Sequence, residues 1–192
     1  MIKLNAKQLR GGPTSLKLRG LKSKVKHNEI YIVLDNVLDT YNIGSIFRLA
    51  DAVSAKKIYL CGETATPPNH RIKKASINTT EWVEWEYCES AVEAISKITS
   101  EVKKMRLHLG GGGSIQIIAI EQSPKSIHYN KFEYKLPICL VVGHETNGVS
   151  KEVLEKVDGI VELPMFGINK SLNVMVSLGI VLYKVLEKKL DL

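Results

Sequence analysis

The sequence predicts an α/β fold with a mainly parallel sheet and flanking helices. Short apolar runs such as 30–34 and 138–142 recur along the chain, as in strands buried on both faces. Helical stretches separate those runs, and strands alternating with helices imply parallel pairing. Three polar segments directly follow predicted strands, where open α/β sheets bind their ligands.

The elements follow in order. Residues 30–34 (IYIVL) read as the first buried strand. A helix spans about 43–53, with Ile46, Phe47 and Ala50 on its buried side. Residues 57–60 form a second strand, and 61–71 form a loop marked by Pro67-Pro68. Residues 82–87 alternate and read as a short strand. Ser90-Ala-Val-Glu93 has capping-box spacing and opens a helix to about 104. Residues 116–120 and 138–142 are two further buried strands. Ser150 caps a helix ending near 157, residues 160–163 form a short strand, and a last helix runs over about 172–188. The GGGGS run from Gly110 to Ser114 is a floppy connector. It is not GxGxxG and no strand precedes it, so no function attaches to it. Nothing repeats internally.

A chain of 192 residues fits one domain, able to bury roughly 70% of its unfolded surface. Charge divides it into a basic arm, 1–28, and a body, 29–192. The net charge is +7, and the arm holds eight basic side chains and no acid. The body holds the other 19 basic residues and all 20 acids, a net of −1. A basic arm beside a near-neutral body points to a polyanion, most simply nucleic acid, or else to a solvated tail. Cys61, Cys88 and Cys139 are far apart, which fits free thiols in a reducing compartment. The five histidines lack metal-ligand spacing, so no zinc site is expected. The N-terminus lacks a secretory h-region, and the apolar stretch 172–186 is too short for a membrane span. Cytoplasmic location is the default.

The chemistry is expected in the three polar segments. In the first, 35–48, Asn42 can cap the helix and leave the amides of Ile43 and Gly44 facing an anion. Gly44 lies one turn before Arg48 and leaves room for a substrate backbone; alternatively Arg48 pairs with Asp51. In the second, 143–150, Gly143 admits close backbone approach and Gly148 permits a turn around Glu145. That segment could equally be a polar strand-to-helix loop, with His144 facing solvent. In the third, 163–173, Ser171 and Asn173 stand where an apolar helix begins, and capping alone needs only one of them.

Together the segments resemble the SpoU or TrmH-like family of the SPOUT superfamily. Motif 1 is similar to Asn36 through Tyr41-Asn42-Ile-Gly44 to Arg48 and Ala52. Motif 2 is similar to Val142-Gly143-His-Glu145 through Gly148-Val-Ser150. Motif 3 is similar to Leu163-Pro164-Met165 followed by Ser171-Leu172-Asn173-Val174. The resemblance spans about 30–187. It implies an S-adenosyl-L-methionine (AdoMet)-dependent RNA ribose 2'-O-methyltransferase whose C-terminal part forms a deep trefoil knot, usually as a homodimer with its site near the subunit interface. Carried over by position, Gly143, Leu163, Met165 and Leu172 contact AdoMet, together with Ile120 from an earlier strand. Asn42, Arg48, Glu145, Ser171 and Asn173 form the catalytic and RNA-positioning set. The family's longer N-terminal RNA-binding domain is absent, and position 144 is His where many relatives have Asn or another small or polar residue.

Methyl transfer to a ribose hydroxyl needs in-line positioning and loss of the hydroxyl proton. Family proposals give the proton to the motif 1 arginine. Free arginine has a pKa of about 12.5–13.8, so Arg48 could equally clamp the phosphate. The expected substrate is tRNA or rRNA. Two rivals stand beside this reading: a non-catalytic RNA-binding paralogue, and a nucleotide-dependent α/β enzyme using 143–148 for phosphate.

Overall fold

The computed structural model describes residues 25–108, 110 and 113–190. Most of the basic arm and part of the glycine run lie outside the described residues. Among the described residues, seven strands form one sheet in the order β3-β2-β1-β6-β4-β7-β5, and every pairing in it is parallel.

β1 (Asn28–Asp35) pairs with β2 (Ala55–Cys61) on one side and β6 (Ile138–Gly143) on the other. β3 (Trp85–Cys88) is one edge. β4 (Gln116–Ile120) lies between β6 and β7 (Gly159–Glu162), and β5 (Ile127–His128) is the far edge. Ile30, Tyr31, Ile32, Val33 and Leu34 are all buried, because helices cover both faces of this central strand. The side chains of Ile30, Ile32 and Leu34 join one core with α1 (Thr40–Ala52), α2 (His70–Ser76) and α5 (Val174–Leu190). Tyr31 and Val33 join the opposite core with α3 (Ala91–His108) and α4 (Lys151–Leu154). Strand order and pairing define the sheet; the trefoil knot is a property of threading and rests on the family resemblance.

Most predicted elements are present, and the differences have local causes. α1 begins at Thr40 because Asp39 is its cap, accepting from the Tyr41 N–H at 2.7 Å. Asn42 is therefore inside the first turn and caps nothing there. The Ile43 amide donates to the Asp39 carbonyl at 3.0 Å, so it faces no anion. α2 replaces the end of the predicted loop. Asn69 caps it by accepting from the Arg71 and Ile72 amides. Only Ile72 and Ser76 of this helix are buried, too few to show a helical period in sequence. Two-residue β5 offers still less pattern. α4 stops at Leu154, and the Ser150 side chain makes no capping bond. The Ser150 amide instead donates to Asp35 Oδ2 at 2.8 Å. The capping box opening α3 is half formed, with its return bond displaced by one residue: the Glu93 amide donates to Ser90 Oγ at 3.2 Å. Glu93 Oε2 in return accepts from the Glu89 amide at 2.9 Å.

Candidate active site

The carboxyl ends of β4, β6 and β7 open into a cleft of about 520 Å³. Parallel pairing puts these strand ends on one edge of the sheet, so the second and third polar segments meet there. Ile120, Gly143, Leu163, Met165 and Leu172 all line the cleft, as do Glu145, Ser171 and Asn173. Asn42 and Arg48 do not.

Glu145 is the joint between the segments. Its Oε1 accepts from the Asp39 amide at 3.0 Å and from Asn42 Nδ2 at 3.1 Å, and its Oε2 accepts from the Leu38 amide at 3.1 Å. Asn42 Oδ1 accepts from Asn173 Nδ2 at 3.0 Å. Asn173 Oδ1 accepts from the Met175 and Val176 amides, so this residue also caps α5. Partial desolvation pushes the Glu145 pKa up. The hydrogen bonds from Leu38, Asn42 and Asp39 outweigh that burial and hold it below the usual glutamate value. Glu145 is thus a fixed anion and a weak base that ties the second segment to the first, and Asn42 carries the tie on to Asn173 in the third. Ser171 donates its amide and its hydroxyl to Asn169 Oδ1, shaping the loop before α5.

The glycines act differently from the sequence reading. A Cβ on Gly143 would lie 2.2 Å from the Gly148 carbonyl, because residues 144–148 fold back in a His144–Gly148 bridge. The space beside Gly143 is filled by the chain itself. A Cβ on Gly44 would lie 2.6 Å from Ala75 Cβ and 2.7 Å from the Ile72 carbonyl oxygen. Gly44 therefore seats α2 against α1 and clears no room for a substrate. Arg48 is exposed and, among the described residues, makes no ion pair. Asp51 accepts from Trp82 Nε1, and the alternative Arg48–Asp51 pair is absent among the described residues. His144 is half-buried, and its Nδ1 accepts from the Thr146 amide at 2.9 Å.

Two acids were not singled out by sequence. Asp35 is only 3% exposed at the end of β1, and it accepts from Asn36 Nδ2 and the Ser150 amide. Glu121 lines the cleft and accepts from the Val149 amide at 2.9 Å. Beside it, Gln122 Nε2 donates to the Lys170 carbonyl at 2.6 Å, joining the loop after β4 to the loop before α5. An acid directly following a buried strand was the available signal in both cases.

A sequence profile described as the SpoU rRNA Methylase family matches residues 29–183. The chain belongs to this family. The chain is 32% identical, over 83% of its length and 69% of the relative's, to the tRNA (guanosine(18)-2'-O)-methyltransferase of Aquifex aeolicus. Among solved structures it matches the TrmH/SpoU tRNA modifying enzyme of A. aeolicus at 28% identity and a TM-score of 0.71. That match covers 91% of this chain and 84% of the other. It matches the AdoMet-bound rRNA methyltransferase of Sinorhizobium meliloti at 26% identity and a TM-score of 0.70, covering 88% and 60%. The chain spans between 62% and 69% of the length of the first curated relatives. Membership in the SpoU family displaces the reading of 143–148 as a nucleotide-phosphate loop.

Proposed function

We propose that this SpoU family chain is an enzyme that methylates a ribose 2'-hydroxyl of tRNA or rRNA, with AdoMet as donor. The observation that carries the reading is the convergence of all three motifs at one cleft edge, through the Glu145–Asn42–Asn173 chain of hydrogen bonds. The relatives named above support the reaction class.

The cleft suits the cofactor in size and lining. Its volume is within the roughly 300–1,000 Å³ of small-molecule sites. Apolar Ile120, Leu163 and Leu172 stand beside the polar Glu121 and Ser171. Gly143, Leu163, Met165, Leu172 and Ile120 would hold AdoMet, which supplies an electrophilic methyl group when bound. Glu145 and Asn42 keep the first and second motifs in register, and Asn173 sets the start of α5. Glu145 is too well hydrogen-bonded to take the hydroxyl proton. Arg48 then holds the substrate phosphate and orients the ribose, a role for a permanently charged fork of donors.

We assign Arg48 to a partner subunit's cleft. α5 buries Leu178, Val181 and Leu182 yet exposes Val176, Ile180 and Tyr183, with Leu172 just before it. A helix apolar on both sides is normally covered on both. A second copy packed there as a homodimer would cover it and bring an outside arginine to the site. The cytoplasm, where such RNA resides, is the proposed location, and the basic arm is a further RNA contact.

The test is incubation with radiolabelled AdoMet and total RNA from cells lacking the gene, followed by size fractionation and nucleoside digestion. A labelled 2'-O-methyl nucleoside in the tRNA or rRNA fraction is the expected result. AdoMet binding without any labelled RNA would sink the catalytic reading in favour of a silent RNA-binding paralogue.

A further inference from the structure

A second groove, of about 440 Å³, lies between α2 and the edge strand β3. Pro67, Pro68, His70, Lys73, Glu81 and Trp85 line it. Residues 64–80 contain Arg71, Lys73 and Lys74 with His70 and no acid, in a body whose net charge is −1. His70, Arg71, Lys73 and Lys74 are all exposed, and among the described residues neither Arg71 nor Lys74 makes an ion pair. Lys73 meets Glu81 at 3.7 Å, with both side chains largely in solvent, a pairing of little strength.

Position matters as much as charge. Trp82 and Trp85 pack on the core that also holds α1 and α5, so the groove is on the sheet face that carries Arg48. α2 seats directly on α1 at Gly44, one turn from Arg48. Trp85 is half-buried at the groove wall with Pro68, giving a flat apolar surface in the groove that Lys73 also lines, while Arg71 and Lys74 are exposed elsewhere on the same helix. Cations that follow a backbone beside an aromatic platform are the features that recognise a nucleic-acid strand.

We propose that the α2–β3 groove and the exposed surface of α2 beside it are a second RNA contact: Lys73 holds a phosphate in the groove, Arg71 and Lys74 attract the backbone from the outer side of α2, and Trp85 packs against a base or ribose. The proposal rests on the RNA-methyltransferase reading for its substrate, but its test is binding and not turnover. RNA entering the groove competes with Glu81 for Lys73. Removing that acid therefore strengthens binding, which a merely structural role for α2 would not do.

The full chain is titrated with a tRNA pool between 50 and 300 mM salt, as wild type, as R71A/K73A/K74A and as E81Q. Loss of these three cations should lower the slope of log affinity against log salt by about 2–3 and weaken binding by about tenfold or more at low salt. E81Q should tighten binding a few-fold, and AdoMet affinity should be unchanged in both variants. In a Trp82→Phe background, where Trp85 is the remaining tryptophan, RNA should quench the emission saturably. An unchanged slope in the triple variant, or competition by polyglutamate as strong as by RNA, overturns the groove. Wild type that binds RNA through these residues but transfers no methyl group keeps the groove and removes the methyltransferase reading. Wild type and triple variant that methylate and bind equally do the reverse.

Discussion

Asn173 donates its side-chain amide to Asn42 at 3.0 Å, across 131 residues of chain. The Asn173 side-chain oxygen caps α5, so one residue both starts the last helix and fixes its first turn against α1. The two roles separate by substitution. Asn173→Ala loses both and should destabilise the fold by about 1 kcal/mol, the usual value of an N-cap. Asn173→Ser keeps a capping oxygen and should lose only a few tenths of a kcal/mol. Both should reduce methyl transfer by tenfold or more. Chemical denaturation beside a turnover assay distinguishes them, and a fully active Asn173→Ser would show that only the cap matters.

Glu145 makes the joint sensitive to acid. Its folded pKa is depressed below the ordinary glutamate value, so its stabilising contribution is complete above that value. The contribution shrinks as pH falls through the lowered folded pKa, where the carboxylate gains a proton and gives up acceptor capacity. The stability gap between wild type and Glu145→Gln should therefore be constant from pH 7 to about 5 and close below about 4. Urea titrations across that range measure it. A gap that widens on acidification would mean that the bonds from Leu38, Asp39 and Asn42 are not what holds this group.

Arg48 is exposed and outside the cleft, so Arg48→Ala should change stability by no more than about 0.5 kcal/mol and leave AdoMet binding intact. Turnover should be abolished. If the arginine serves the partner's cleft, mixing Arg48→Ala with Asn173→Ala restores about a quarter of the sites, because half of random dimers carry one intact site of two. No recovery on mixing, with subunit exchange verified, would place Arg48 and the cleft in the same subunit.

Gly44 is a packing glycine. Gly44→Ala drives a methyl group into Ile72 and Ala75 and should lose about 1–3 kcal/mol by overpacking. AdoMet affinity per folded molecule should be little changed, since Gly44 does not line the cleft. A stable variant with lost RNA turnover would restore the reading that this glycine makes room for substrate.

Periodicity and apolar runs were enough to read the alternating strands and helices, and hence the parallel sheet, because burial on both faces leaves a continuous apolar signature such as Ile30 to Leu34. The three polar segments were legible because each directly follows an apolar strand, and the motifs within them by their resemblance to the family. Residues from the second and third segments therefore line the cleft as expected. What each polar residue bonds to was not legible, because those contacts join positions about a hundred residues apart. Glu145 reads as a member of the catalytic and RNA-positioning set in sequence, and only folding surrounds it with the three donors that make it a tie. Gly44 reads as space for a ligand, and only the arrival of α2 fills that space. Sequence pattern determines which elements form and which edge of the sheet carries chemistry. Long-range packing decides which partner each side chain finds, and so whether it holds the site together or acts within it.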